Sequence, residues 1–174
     1  MNISDLLKDP EKAKEILNLA IRTQNKELVE ILIPIAKDPY LTCVYAIEMV
    51  KGKIKDEWED IIAQDAKNSY SYAEFVLEKP FPKGEDAIAK DPKYSYYYVR
   101  DVLRSPFPKG EDAIAKNPEY SYKYAKYFLK NRFIKGEKEI VKDNYLFKEY
   151  VEFLKNIGKL DEFLKDHPEV KDKV

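Results

Sequence analysis

The sequence predicts an all-α fold, an α-solenoid-like stack of about six helix-turn-helix repeats of about 26 residues with polar capping units at its ends. Three observations predict this fold. An eleven-residue segment, Pro80 to Lys90, recurs without change as Pro106 to Lys116. Asp or Asn, usually followed by Pro, recurs at a nearly constant interval. Between these markers, apolar residues recur with the period of an α-helix.

The recurring Asp or Asn marks the start of a helix in each repeat. Its side-chain oxygen can accept a hydrogen bond from a free first-turn N–H, and a following Pro lacks an N–H that would have stayed unpaired. The spacings between successive markers are 29, 27, 26, 26 and 26 residues. The predicted caps are Asp9, Asp38, Asp65, Asp91, Asn117 and Asp143.

Each repeat is predicted to contain a short first helix and a longer second helix. In the fourth repeat the first helix covers residues 82–90, and the second runs from residue 92 to about residue 104. The second helix ends before Pro106, because the residue preceding a proline disfavours the helical conformation. Pro34 falls inside the first helix of the second repeat, where we expect it to kink or shorten that helix.

Positions counted from the cap keep a constant character, and together they predict the core. Four residues after the cap the side chain is small in most repeats: Ala13, Thr42, Ser69, Ser95 and Ser121. Seven residues after it, five repeats hold a tyrosine: Tyr45, Tyr72, Tyr98, Tyr124 and Tyr150. The first helix adds one aliphatic residue per repeat: Leu6, Ile35, Ile62, Ile88, Ile114 and Ile140. These stripes predict stacked hairpins and an interior ladder of tyrosine rings whose hydroxyls reach polar partners or the edge.

The outer repeats carry polar residues at positions that are apolar in the middle. Lys14 and Lys148 lie five residues after their caps, and Lys155 lies twelve after. Terminal repeats of a finite array need such a polar face. We therefore predict a single helical-repeat domain over residues 1–174. It comprises less regular units at 1–57, regular repeats at 58–155, and a C-terminal cap with a frayed tail at 156–174.

The amino-acid composition limits the classes of partner and the cellular compartment that we expect. The chain has 31 basic and 32 acidic residues, which gives no global reason to expect a nucleic-acid or membrane partner. One cysteine, Cys43, leaves no internal disulfide and suits a reducing cytosol. We find no apolar run of signal-peptide or membrane-spanning length. These features predict a cytoplasmic protein without a membrane partner.

The segment PFPKGEDAIAKDPKYSYYYVRDVL, residues 80–103, resembles short repeats found in bacteriophage and bacterial proteins, with signatures of the PFPxGExAIAxDPxYSYxYAxxVL kind. The resemblance covers about residues 58–154 and is strongest in the two central copies. It weakens in the outer repeats, where Trp58 stands at the position of Gly84. The resemblance implies a helical repeat fold and a viral or mobile-element origin, with the host cytosol as the location. It implies no activity.

Candidate catalytic groups all have structural explanations. The acidic pairs at 85–86 and 111–112 recur at a helix start, where carboxylates interact favourably with the helix dipole. His167 is the only histidine, and it has no further His or Cys partners for metal binding or catalysis. Cys43 stands where other repeats hold tyrosine. Gly84, Gly110 and Gly136 fit a turn or a close helix approach better than a phosphate-binding loop. The sequence therefore predicts no enzyme, no cofactor and no metal.

A basic, tyrosine-rich middle is the candidate binding surface. Residues 93–135 hold 10 basic and 4 acidic residues, a net charge of +6, whereas residues 1–92 carry −5 and residues 136–174 carry −2. Several tyrosines there fall outside the core stripe, with cations beside them. The predicted partner-binding residues are Tyr94, Tyr97, Arg100, Arg104, Tyr120, Lys123, Lys126, Tyr127 and Lys130.

Several functions fit that surface at the level of sequence. The rings can simply pack sideways on the next hairpin, leaving a solvated face. They can form a protein interface, where Tyr and Arg are enriched. They can also stack on the bases of a single-stranded nucleic acid while the cations meet phosphates, or the chain can be purely structural and self-assembling. We favour a protein-binding module that occludes or adapts a host protein if the phage-like origin holds. The partner's identity and self-association remain open.

Overall fold

The computed structural model describes residues 9–174, so Leu6 and the start of the chain lie outside the described residues. Within that range the regular structure is helical throughout and contains no β-strand, which confirms the predicted all-α, repeat-like fold. The chain divides into two compact units, Met1–Ile88 and Ala89–Val174, and each is described by itself.

The helices of both units are short. In the first unit they span Pro10–Arg22, Lys26–Ala36, Pro39–Tyr45, Ala46–Val50, Asp56–Ile62, Ala66–Tyr72, Ala73–Leu77, Pro82–Gly84 and Glu85–Ile88. In the second unit they span Pro92–Tyr97, Tyr98–Leu103, Pro108–Gly110, Glu111–Ile114, Pro118–Tyr124, Ala125–Leu129, Ile134–Ile140, Asn144–Asn156, Leu160–Asp166 and Pro168–Lys173.

All six predicted caps are confirmed by their hydrogen bonds. Asp65 Oδ1 accepts from the backbone N–H of Asn68 at 2.9 Å, and Asn117 Oδ1 accepts from that of Tyr120 at 3.0 Å. The other four caps accept first-turn N–H groups in the same way. Their φ angles lie between −94° and −125°, the extended conformation that a cap requires.

The second helix of four repeats changes from α to π halfway along, which the sequence analysis did not predict. The π segments are Ala46–Val50, Ala73–Leu77, Tyr98–Leu103 and Ala125–Leu129. Each ends at a non-glycine residue in the left-handed region; at Arg104, φ is 53° and the N–H donates to Val99 O at 2.7 Å. Because this bond satisfies a terminal carbonyl, it offsets part of the backbone strain.

The tyrosine ladder is confirmed and has a specific hydrogen-bond pattern. Its five members are at most 1 % exposed: Tyr45, Tyr72, Tyr98, Tyr124 and Tyr150. The Tyr124 hydroxyl accepts from the backbone N–H of Phe107 at 3.0 Å and donates to Glu111 Oε1 at 3.1 Å. The same bridge joins Tyr72 to Ile54 and Glu59, and Tyr150 to Phe133 and Glu137. In these repeats the tyrosine ties the second helix to the turn and first helix before it.

Gly110 lets two neighbouring repeats approach closely. A Cβ added there would lie 2.4 Å from Phe107 Cδ1 and 2.8 Å from Ser95 Oγ, distances that real side chains essentially never show. Gly84 faces Ser69 in the same way, and Gly136 faces Ser121. The recurrent glycine and the recurrent small residue are therefore two halves of one contact, which confirms the predicted close helix approach.

Two irregular regions are more regular than the sequence predicts. Pro34 does not shorten its helix, which runs over Lys26–Ala36 with the proline inside; near the C-terminal end its missing N–H removes a single hydrogen bond. The tail after Leu164 does not fray, because it forms the 3-10 helix Pro168–Lys173 and buries Val170. The polar composition of the tail gave no indication that Val170 is buried.

Candidate binding surface

The nine residues predicted to bind a partner all belong to the second unit, where they fall into three groups by their contacts. Three tyrosines join an aromatic cluster, and three residues line a groove. Arg100 and the two helix-end cations, Arg104 and Lys130, are not among the groove-lining residues.

The aromatic cluster consists of Tyr94, Tyr96, Tyr97 and Tyr120. Tyr96 and Tyr120 stack with ring centroids 5.2 Å apart and an interplanar angle of 8°. Tyr97 meets Tyr120 edge-on at 6.2 Å, and Tyr94 meets Tyr97 edge-on at 6.4 Å. Tyr96 is buried, and the other three rings are half-buried. Because these rings pack on one another, the cluster matches the alternative in which surplus tyrosines pack sideways on neighbouring helices.

Arg100 is engaged by its neighbours. Its guanidinium carbon lies 4.4 Å from the centroid of the Tyr97 ring. Its Nε and one terminal nitrogen donate to the two carboxylate oxygens of Asp101, at 2.7 and 2.8 Å. This bidentate geometry is the strongest arrangement that arginine makes with a carboxylate. A phosphate or a partner carboxylate would have to compete with it.

The groove lies between the second helices of the last two repeats and has a volume of about 580 Å³. Two aromatic side chains stand out in it, since Tyr127 is 55 % exposed and Tyr145 is 70 % exposed. The lining residues are Asn117, Pro118, Glu119, Tyr122, Lys123, Lys126, Tyr127, Asp143, Tyr145, Leu146 and Glu149. The groove therefore combines a concave shape with exposed rings and hydrogen-bonding groups.

The charges of the groove are largely satisfied within it. Lys123 Nζ pairs with Glu119 at 2.5 Å, and this hydrogen bond raises the pKa of Lys123. Lys126 Nζ donates to the Tyr122 hydroxyl at 2.7 Å, which likewise raises the pKa of Lys126. That hydroxyl in turn donates to Glu149 Oε2 at 3.3 Å. With two lysines and three carboxylates in the lining, the groove has no excess of positive charge.

The far wall of the groove is formed by residues that were not predicted from the sequence. Tyr145 lies two residues after the cap Asp143, and Leu146 and Glu149 follow on the same helix. The sequence predicts only a polar cap for this last repeat. The available signal was Tyr145 itself, a large ring outside the core positions of its helix.

Arg104 and Lys130 do not line the groove. Both are exposed and occupy the left-handed residue that ends a π segment, with φ of 53° and 50°. A cation at the C-terminal end of a helix interacts favourably with the helix dipole. This interaction with the helix dipole accounts for a cation at each of these two positions.

The residues considered as candidate catalytic or metal-binding groups also take part in packing or hydrogen bonds within the fold. Cys43 is buried, and this burial raises the pKa of its thiol to about 12, which suppresses the reactive thiolate. Glu111 accepts the Tyr124 hydroxyl, so the helix dipole alone did not explain it. His167 contacts Glu137 and Glu169.

No protein-family model, no curated protein and no solved structure matches this chain. Across residues 9–174, no helix combines the length and the apolar character needed to cross a membrane. The geometry and charge of the groove are therefore the basis for proposing a function.

Proposed function

We propose that this chain is a protein-binding helical-repeat module, and that the groove is its contact surface in residues 89–174. The supporting observation is the exposure of Tyr127 and Tyr145, two large rings at a concavity of about 580 Å³. Tyrosine is enriched among the residues that dominate binding energy at protein interfaces. A concavity of this volume is large enough to receive several partner side chains.

The charge distribution favours a protein over a nucleic acid as the partner. Within residues 93–135, ion-pair distances to carboxylates are seen for Arg100, Lys123, Arg132 and Lys135. Nucleic-acid binding depends on cations that can neutralise phosphates and release counterions. A groove whose charges are already balanced is better suited to a partner that offers both apolar and polar groups.

The resemblance of the central repeats to bacteriophage repeats supports a host protein as the partner. In this proposal the chain occludes or adapts that protein in the host cytosol and needs no catalytic group or cofactor of its own. Binding alone is sufficient for such a role, and helical-repeat scaffolds provide extended surfaces for it.

The test compares host proteins captured by the wild-type chain and by Tyr127→Ala/Tyr145→Ala, quantified by mass spectrometry. We expect the double variant to lose its specific partner by more than about tenfold, as truncation of interface hot spots does. Tyr40→Ala is the matched control, because Tyr40 is 57 % exposed and lies in the other unit. It should retain the partner. If the wild-type chain and the double variant recovered the same amount of every host protein, the groove would not be the contact surface.

The alternative of a nucleic-acid partner is tested by a separate binding measurement. A fluorescent single-stranded oligonucleotide that bound the wild-type chain, and bound less as salt rose from about 50 to 200 mM, would replace the protein partner with a polyanion. We expect no binding at the lower salt concentration.

A further inference from the structure

Glu137 is a buried carboxylate that joins the last repeat to the C-terminal segment, defined as residues 160–173. Its side chain is fully buried and accepts two hydrogen bonds from the Arg132 guanidinium, at 2.8 and 2.7 Å. It also accepts the Tyr150 hydroxyl at 2.9 Å. A fourth contact comes from the C-terminal segment, where His167 Nε2 lies 3.1 Å from Glu137 Oε2.

Both nitrogens of His167 face carboxylates. While Nε2 faces Glu137, Nδ1 lies 3.2 Å from Glu169 Oε1. The ring packs on Phe163 with centroids 4.7 Å apart, and its side chain is only 13 % exposed. A neutral imidazole has one N–H, so it would turn a lone pair toward one of the two carboxylates. Only the imidazolium donates to both.

Three groups near His167, the side chains of Arg132, Tyr150 and Glu169, keep their protonation states near neutral pH. The Glu137 and Asp166 carboxylates hold the pKa of Arg132 above its ordinary value, and burial raises that of Tyr150. The backbone N–H of Glu169 and the His167 side chain lower the pKa of the Glu169 carboxyl. Asp166 pairs with Arg132 at 2.8 Å. The imidazole is the member of this set whose protonation state decides how many of the two carboxylates it can bond.

We propose that His167 is a proton-operated latch that fastens the C-terminal segment to the last repeat. When the imidazole is protonated, it bonds Glu137 and Glu169 together and the segment is held closed. When the proton leaves, one of the two contacts is lost and the segment opens more often. The segment is thus held more firmly when the ring carries its second proton, at low pH, and less firmly at high pH.

The latch controls access to an aromatic face of the last repeat. Phe163, in the C-terminal segment, meets Tyr150 edge-on at 5.8 Å and lies 6.3 Å from Phe147. Tyr150 is the member of the tyrosine ladder that belongs to this repeat. Opening the segment would expose the end of the last repeat, which the latch keeps covered.

The test is amide hydrogen exchange at pH 5.5 and 8.0, corrected for the intrinsic dependence of exchange on pH. We expect protection of the amides in residues 160–173 to fall by about tenfold over this range, the size of one charge-assisted hydrogen bond. Protection over residues 118–124 should stay constant. The variant His167→Gln keeps an N–H donor but cannot titrate, so its protection should not depend on pH.

A second variant separates the latch from general loosening of the fold. Glu169→Gln removes the outer carboxylate, so a neutral imidazole can keep its single N–H on Glu137. We expect the pH effect in this variant to be smaller than in the wild-type chain. Wild-type protection that does not change with pH, or an equal change in His167→Gln, would overturn the proposal.

Discussion

Tyr124 and Tyr127 lie three residues apart on one helical segment and have opposite surroundings. Tyr124 is fully buried, and its hydroxyl bridges the backbone of Phe107 and the carboxylate of Glu111. Tyr127 is more than half exposed and lines the groove. The same side chain therefore holds the repeat together at one position and offers a contact surface at another. Its distance from the cap decides which.

The two positions also differ in how they repeat. Seven residues after the cap, five of the six repeats have a buried tyrosine. Ten residues after it the residue changes from repeat to repeat: Leu19, Glu48, Phe75, Asp101, Tyr127 and Phe153. The recurring position maintains the fold, whereas the variable position is exposed at Leu19, Phe75 and Tyr127 and buried at Phe153. We therefore expect a partner to bind side chains that differ from one repeat to the next.

The largest expected effect comes from the interior contact at Gly110. Gly110→Ala should lower the free energy of unfolding by about 3 kcal/mol, because the added methyl overlaps the Phe107 ring and the Ser95 hydroxyl. The matched control is Gly52→Ala, whose methyl would meet nothing closer than 4.0 Å. That control should stay within about 0.5 kcal/mol of the wild-type value in urea unfolding. Similar losses in both variants would mean that the interior glycine has no special packing role.

A smaller effect is expected from removing single hydroxyls. Tyr124→Phe leaves the Phe107 N–H and the Glu111 carboxylate without their shared partner, which should lower the free energy of unfolding by about 2 kcal/mol. Tyr127→Phe removes an exposed hydroxyl and should change it by less than about 0.5 kcal/mol. Thermal unfolding of the two variants measures the difference. If Tyr127→Phe were the more damaging of the pair, the division between interior and surface tyrosines would be wrong.

The sequence predicted most of what recurs. The caps at Asp9 to Asp143, the burial of the tyrosine ladder and the close approach at Gly110 all follow from local rules, because capping, periodicity and steric size act within a few residues. The π segments were missed, since apolar periodicity does not separate an α turn from a π turn over five residues. The bridge from Tyr124 to Glu111 was missed because it depends on which hydroxyl reaches which carboxylate.

The candidate surface was predicted less well, because a surface depends on which repeats face each other. Tyr94, Tyr97 and Tyr120 pack into the aromatic cluster. Tyr127 instead shares the groove with Tyr145, a residue 18 positions later in the chain. Tyrosine content and local charge indicated a surface, but only the fold shows which rings lie together.

Chemical acetylation of tyrosine, mapped residue by residue with mass spectrometry, tests this division most directly. Acetylation needs an accessible phenol, and burial together with Glu30 raises the pKa of Tyr45 to about 12, which disfavours its reactive form further. We predict that the exposed Tyr40, Tyr127 and Tyr145 react first, while all five ladder tyrosines stay unmodified until the chain unfolds. Early modification of ladder tyrosines in the folded protein, at rates matching that of Tyr127, would contradict the account.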